Sequence, residues 1–306
     1  MISIVVPAFN EVGNLEPLVK KIHEILDSFE DRYEIILVDD GSTDGTLSLM
    51  EELSEKDARI KFIALSRNFG HQNALKAGLD MAKGEAVISM DADMQHPPEM
   101  ILEFLKKWKS GYDVVFSIRK DDSKANYFKK SSSNAFYRLI NALSEVQIEP
   151  GSADFRLLDR KVLNVLQKLN ENELFLRGLI PWIGFKQIGI DYEPDQRFSG
   201  TSKYTFSKML GLGIKGITSF SIRPLYTATY LGIVFSVLSI LIYVPYILIS
   251  FYSGHVVSGW SSVLATVVFL GGLQLMILGI MGIYLGKLFM QAKNRPTYII
   301  SKTNIE

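Results

Sequence analysis

Glu34-Ile35-Ile36-Leu37-Val38-Asp39-Asp40-Gly41-Ser42 is an apolar run broken at once by two acids, a glycine and a serine. The run predicts a buried strand over Glu34–Val38, and the cluster behind it marks the turn that ends the strand. The same grammar recurs along the first part of the chain. Ile2–Val6 precedes Pro7 and then Asn10-Glu11, and Ala86–Met90 precedes Asp91-Ala92-Asp93. Ile60–Leu65 and Val114–Ile118 supply two further strands, the last followed directly by Arg119. Between them apolar residues fall at helical spacing over Leu15–Leu26, His71–Ala82 and Pro98–Lys109, with Asp44 the expected N-cap of a helix through Lys56. Strands alternating with helices predict an α/β domain on a mainly parallel, Rossmann-like sheet, with its ligand site outside the strands' carboxyl ends. The acids gather at those ends. They repel one another, so a bound cation or ligand donors must compensate them.

The chain has 306 residues, room for one catalytic domain and a small appendage. Lysine plus arginine and aspartate plus glutamate both number 33, so no charge excess calls for a nucleic-acid partner. The absence of cysteine excludes disulfides and thiolate metal sites. Hydrophobic residues reach 47% but are unevenly placed. Leu225–Phe251 and Trp260–Gly286 carry no charge, and each exceeds the roughly 20 residues a helix needs to cross a bilayer. Lys208, Lys215 and Arg223 lie before this pair, and Lys287, Lys293 and Arg295 after it. The linker Tyr252–Gly259 has neither lysine nor arginine, so the positive-inside rule places both outer flanks in the cytoplasm. The opening residues read as a strand rather than a secretory signal. The expected organisation is a cytoplasmic domain at 1–204, a juxtamembrane amphipathic helix at 205–224, membrane helices at 225–251 and 260–288 around an external linker at 252–259, and a cytoplasmic tail at 289–306. Tyr127–Leu143 and Tyr204–Phe220 mix basic and apolar residues in the manner of helices lying on a bilayer surface. Gly279, Gly282 and Gly286, with Gln274 at mid-span, offer a face for helix–helix contact.

The ordered motifs resemble family-2 glycosyltransferases of the GT-A fold. Val6-Pro7-Ala8-Phe9-Asn10-Glu11 is similar to the family's opening motif, Val38–Asp44 to its nucleotide-base segment, and Asp91-Ala92-Asp93 to its metal-binding acidic triplet. The likeness continues through Ser66–Gly70, Gln95-His96-Pro97-Pro98, Asp154-Phe155-Arg156 and Arg197–Tyr204. With two terminal membrane helices the chain resembles polyisoprenyl-phosphate glycosyltransferases, the bactoprenol glucosyltransferase and dolichol-phosphate mannosyltransferase group.

That resemblance implies a nucleotide-sugar donor, a polyprenyl phosphate acceptor (undecaprenyl or dolichyl), inversion by direct displacement, and Mg2+ or Mn2+ as the cofactor. Asp93 is the expected metal ligand, with Gln95 and Asp91 in support. Pro7, Glu11, Asp40, Asp91 and Arg119 would bind the nucleotide sugar, and Arg197 and Lys203 would meet its phosphates. Asp154 is the expected active-site carboxylate, orienting the attack or taking a proton. His96 reads as a packing residue, since hard cations prefer oxygen. The donor of first choice is UDP-glucose. GDP-mannose, UDP-amino-arabinose and UDP-N-acetylhexosamine remain open, and a homo-oligomer, taken as a tetramer, is expected. Two rivals stand beside this reading. A processive synthase would need more membrane helices and a Gln-x-x-Arg-Trp segment that the sequence lacks, and a carrier or flippase subunit would need a polar lining.

Overall fold

The structure, a computed structural model, describes residues 1–29, 32–119, 149, 151–169, 171, 174–192, 218–219, 221–253 and 259–305. Arg197, Lys203, Tyr127–Leu143 and nearly all of Tyr204–Phe220 lie outside the described residues.

The strands predicted from apolar runs form the centre of an eight-stranded sheet. They are β1 (Ile2–Ala8), β2 (Tyr33–Asp39), β3 (Ile60–Leu65), β4 (Ala86–Ser89) and β5 (Val114–Arg119). The helices between them are α1 (Val12–Leu26), α2 (Thr46–Lys56), α3 (His71–Met81) and α4 (Met100–Lys109). Next come β6 (Ser152–Asp159), α5 (Arg160–Leu166), α6 (Leu176–Ile183) and β7 (Gln187–Tyr192). Two long helices, α7 (Arg223–Ser253) and α8 (Trp260–Ala292), precede the last strand, β8 (Ile300–Thr303). The order across the sheet is β7-β5-β6-β4-β1-β2-β3-β8. Its central run from β4 to β3 is parallel, as expected, while β6 and β8 are antiparallel to their neighbours.

Alternation along the strands sorts the core into two layers. Ile4 and Val6 of β1 with Ile35 and Leu37 of β2 face Leu18, Ile22 and Phe104 on α1 and α4. Val5, Ile36 and Val38 face Ala74 and Leu75 of α3 and Leu163 of α5. Truncating a fully buried ring such as Phe104 to alanine would cost about 3–5 kcal/mol. Close approach of α3 requires Gly78, where a Cβ would come within 2.3 Å of Val5 Cγ1 and 2.9 Å of Val38 Cγ2.

Three expectations are corrected. Pro7 lies inside β1 rather than ending it, because the ladder continues through Pro7↔Val38 to Ala8↔Asp39. The N-cap of α2 is Gly45, and Asp44 instead accepts the Thr46 backbone N–H at 2.9 Å from just outside the helix. The stretch taken as a tail from 289 onward first prolongs α8 to Ala292 and then returns to the sheet as β8, paired with β3. Tyr298 donates to Asp80 at 2.8 Å and Lys302 meets Glu51 at 2.7 Å, holding that strand on the domain.

α7 and α8 are 31 and 33 residues long, and both qualify as candidate membrane spans by length and hydropathy. Their apolar side chains face outward. Tyr230, Leu275 and Leu285 are 67%, 71% and 67% exposed, whereas the domain core is sealed. The chain leaves α8 for β8 and so returns from the second long helix to the domain sheet.

Candidate active site

Parallel strands aim their carboxyl ends at one edge, and a cleft of about 710 Å³ opens there. Pro7, Glu11, Asp40, Asp91, Asp93 and Asp154 all line it, so strand ends far apart in sequence meet as expected. Gln95 and Arg119 are not among its lining residues. Arg119 ends β5, which β6 separates from β4, and its side chain is exposed.

On the β1–β2 side the loops are tied by their own polar groups. Asp39 accepts the Ser42 N–H, Asn10 accepts the Thr43 N–H, and Asn10 adopts a positive φ of 58°. Gly41 is required here, because its φ is 71° and a Cβ would lie 2.5 Å from the Arg67 carbonyl carbon. Asp40 is buried and accepts the N–H groups of Phe69 at 2.7 Å and Gly70 at 3.0 Å. Burial raises its pKa, and these two hydrogen bonds oppose the rise without cancelling it. Each oxygen keeps a second lone pair for a ligand donor.

The loop after β4 carries Asp91 and Asp93. Met94 has a φ of 61°, a conformation that bulky residues rarely adopt and that turns the chain sharply after Asp93. Gln95 closes the turn by donating its N–H to Asp93 Oδ1 at 3.2 Å. His96 is buried, stacked on Phe155 with ring centroids 5.0 Å apart, and its Nδ1 lies 3.4 Å from the Asp91 backbone N–H. Burial lowers its pKa despite the charges of Asp91 and Asp93. Buried and stacked on Phe155, the imidazole serves as a packing residue.

Two carboxylates on one turn are the oxygen donors that a hard cation prefers. Among the described residues no group of three or more His, Cys, Asp or Glu side chains is arranged to hold a metal. The donor set nonetheless fits Mg2+ or Mn2+ in the way such ions bind beside phosphates, with one or two carboxylates and the rest of the shell from substrate and water. Asp91 and Asp93 are the residues that would hold it.

The opposite wall comes from β6, α3 and α6. Ser89 pairs with Arg156, so the antiparallel register brings Asp154 level with the loop after β4. Asp154 is buried, and Arg177 grips it with Nε 3.1 Å from Oδ1 and Nη2 2.9 Å from Oδ2. Gln72 adds a third donor at 3.1 Å, and Arg156 lies 3.5 Å away. Burial alone would raise this carboxyl, but Arg177, the nearby His71 and the charge of Arg156 hold it well below the usual carboxylate range. His71, the first residue of α3, spans the cleft with Nε2 3.4 Å from Asp91 Oδ1 and 3.7 Å from Asp154 Oδ2. Desolvation lowers its pKa, but the Asp154 and Asp91 carboxylates facing it outweigh that and lift it to about 8.

Arg177, His71 and Gln72 line the cleft and were not singled out from the sequence. A signal existed for the first of them: Arg177 is the one charged residue in Leu174–Ile183, an otherwise apolar run. Leu174, Phe175 and Ser219 complete the cleft, and Ser219 stands at the foot of α7.

A parallel sheet with acids at its carboxyl ends and a nucleotide-sized cleft above them is the architecture of a GT-A-type glycosyltransferase. The sequence profile of Glycosyl transferase family 2 matches residues 3–166, and the chain belongs to that family. It is 41% identical to the uncharacterized glycosyltransferase YkcC of Bacillus subtilis over 98% of this chain and 93% of that one. It is 38% identical to the SfII prophage-derived bactoprenol glucosyl transferase of Shigella flexneri, over 99% and 98% of the two chains. Among solved structures it is similar in fold to the mannosyltransferase PcManGT of Pyrobaculum calidifontis in complex with GDP-Man and Mn2+. That likeness has a TM-score of 0.50 at 17% identity and covers 95% of this chain and 85% of the other.

Proposed function

We propose that this glycosyltransferase moves a sugar from a nucleotide diphosphate donor onto polyprenyl phosphate at the cytoplasmic face of a membrane, with UDP-glucose as the donor of first choice. One observation carries the reading. A cleft walled by Asp91 and Asp93 also contains Ser219, which leads into a helix long enough to span a bilayer. A donor site that opens at the foot of a membrane hairpin suits an acceptor whose phosphate lies at headgroup level. The named activity of the Shigella flexneri relative supports the same acceptor class.

In this reading the Asp40 side of the cleft takes the nucleoside, and the Asp91–Asp93 turn faces the diphosphate. When bound there, Mg2+ or Mn2+ neutralises the charge that gathers on the leaving diphosphate. An oxygen of the lipid phosphate attacks the anomeric carbon as the bond from that carbon to the diphosphate oxygen breaks. The departing nucleoside diphosphate keeps the electron pair, and the configuration inverts. A phosphate monoester with a second pKa of about 6 is already largely ionised, so the acceptor needs no strong base. Asp154, held ionised, is a poor proton acceptor. It instead aligns Arg177 along the wall opposite the metal-binding turn, where the guanidinium meets phosphate oxygens.

The test is transfer of label from a panel of nucleotide sugars to undecaprenyl phosphate by the purified chain in nanodiscs, with and without divalent metal. Metal-dependent transfer from one donor names the sugar. Donor binding without transfer to any lipid phosphate would overturn the acceptor.

A further inference from the structure

The membrane hairpin touches the cleft wall through α8. Lys287 Nζ donates a 3.0 Å hydrogen bond to Oγ of Ser219, a residue that lines the cleft. One turn earlier the Tyr284 hydroxyl donates to the Ser221 carbonyl at 2.7 Å. Residues three apart share a helix face, so one face of α8 meets both Ser219 of the cleft wall and Ser221. The Lys287 charge also acts on Glu171, whose carboxyl burial pushes up against that pull. Lys287 is the single charged residue of the 33-residue α8. It stands where such a helix leaves the hydrocarbon for the headgroups.

We propose that Lys287 is an acceptor-binding residue supplied by the membrane helix, and that its ammonium receives the phosphate monoester of the membrane lipid as it enters the cleft beside Ser219. The inference rests on the lipid-phosphate reading above and adds the residue through which the membrane part of the chain takes part in recognition. A lysine that only anchors a helix extends its stem toward bulk headgroups. Lys287 is instead directed at a hydroxyl on the cleft wall. A lipid phosphate monoester brings close to two negative charges for that ammonium to meet. Ser219, already bonded to the ammonium, offers its hydroxyl to the same phosphate.

The experiment uses the full chain in nanodiscs, with Lys287→Gln and Lys287→Arg beside the wild type, varying undecaprenyl phosphate and the donor separately. Lys287→Gln should raise the acceptor KM about tenfold and leave the donor KM within about twofold, the loss expected for one hydrogen bond to a charged group. Lys287→Arg should restore most of the acceptor affinity. The assignment falls if Lys287→Gln leaves the acceptor KM unmoved. It also falls if both KM values rise together with a lower melting temperature, the mark of a structural peg. An acceptor effect that disappears when anionic phospholipid is replaced by neutral lipid would make Lys287 an ordinary headgroup anchor. A wild type that binds donor yet transfers nothing to lipid phosphate would remove the acceptor reading itself, and this assignment with it.

Discussion

β4 and β6 lie side by side and deliver aspartates to the same cleft, yet the two deliveries differ in kind. Asp91 and Asp93 stand on a turn beyond the end of β4, partly open to the cleft. Asp154 lies within β6, buried and gripped by Arg177, Gln72 and Arg156. Position on a strand decides what a carboxylate can do. Beyond the strand end its oxygens face the cleft and can take a ligand; inside the strand they must be satisfied by protein donors, because an unpaired buried charge is costly. One aspartate pair is thus suited to bind, and the single one to hold other residues in place.

Separating activity from stability tests that comparison most sharply. Asp93→Ala should lower kcat/KM for transfer by about 10³-fold, the loss of several kcal/mol of leaving-group stabilisation. The melting temperature without nucleotide should hardly move, and a large drop in melting would merge the two kinds of aspartate into one. Asp154→Ala should reduce both quantities. It leaves Arg156 buried without its counter-charge and releases Arg177, at a cost of about 3–5 kcal/mol in denaturant unfolding.

A pH series sharpens the same point. The folded Asp154 carboxyl is lowered from its ordinary value of 3.8, so below that value the unfolded chain binds more protons than the folded one. Its contribution to stability is therefore complete above that pH and lost as acid brings the pH down through the folded pKa. Melting curves of the wild type and Asp154→Asn should converge as the pH falls below about 4. Curves that stay parallel would show that Asp154 carries no such linkage.

Smaller effects should spare the site. Gly78→Ala drives a methyl into Val5 and Val38, two stiff, fully buried side chains, and should cost about 1–3 kcal/mol with KM values unchanged. Tyr298→Phe removes one hydrogen bond to Asp80 and should cost about 1 kcal/mol, read by thermal unfolding.

Most of the parallel half was legible. Apolar runs of β-branched residues ending in acids and glycines place β1 to β5 within a residue or two, because buried parallel strands are apolar on both faces. β6 was not read as a strand. Its residues Ser152-Ala153-Asp154-Phe155-Arg156 alternate polar with apolar, and the polar ones serve the cleft and its neighbours rather than the core. β8 escaped for another reason. A four-residue edge strand has too little pattern of its own and is defined by the β3 edge it joins.

What the sequence by itself determined is local and periodic: the strand–helix alternation, acids grouped at strand ends, and two charge-free stretches of spanning length. These follow from which side chains leave water and at what spacing. Tertiary structure alone decided which distant residues share a charge. Asp154 meets Arg177 and His71, and Lys287 comes to rest on Ser219. Such pairings depend on strand order and register, which long-range packing sets and which no local pattern encodes.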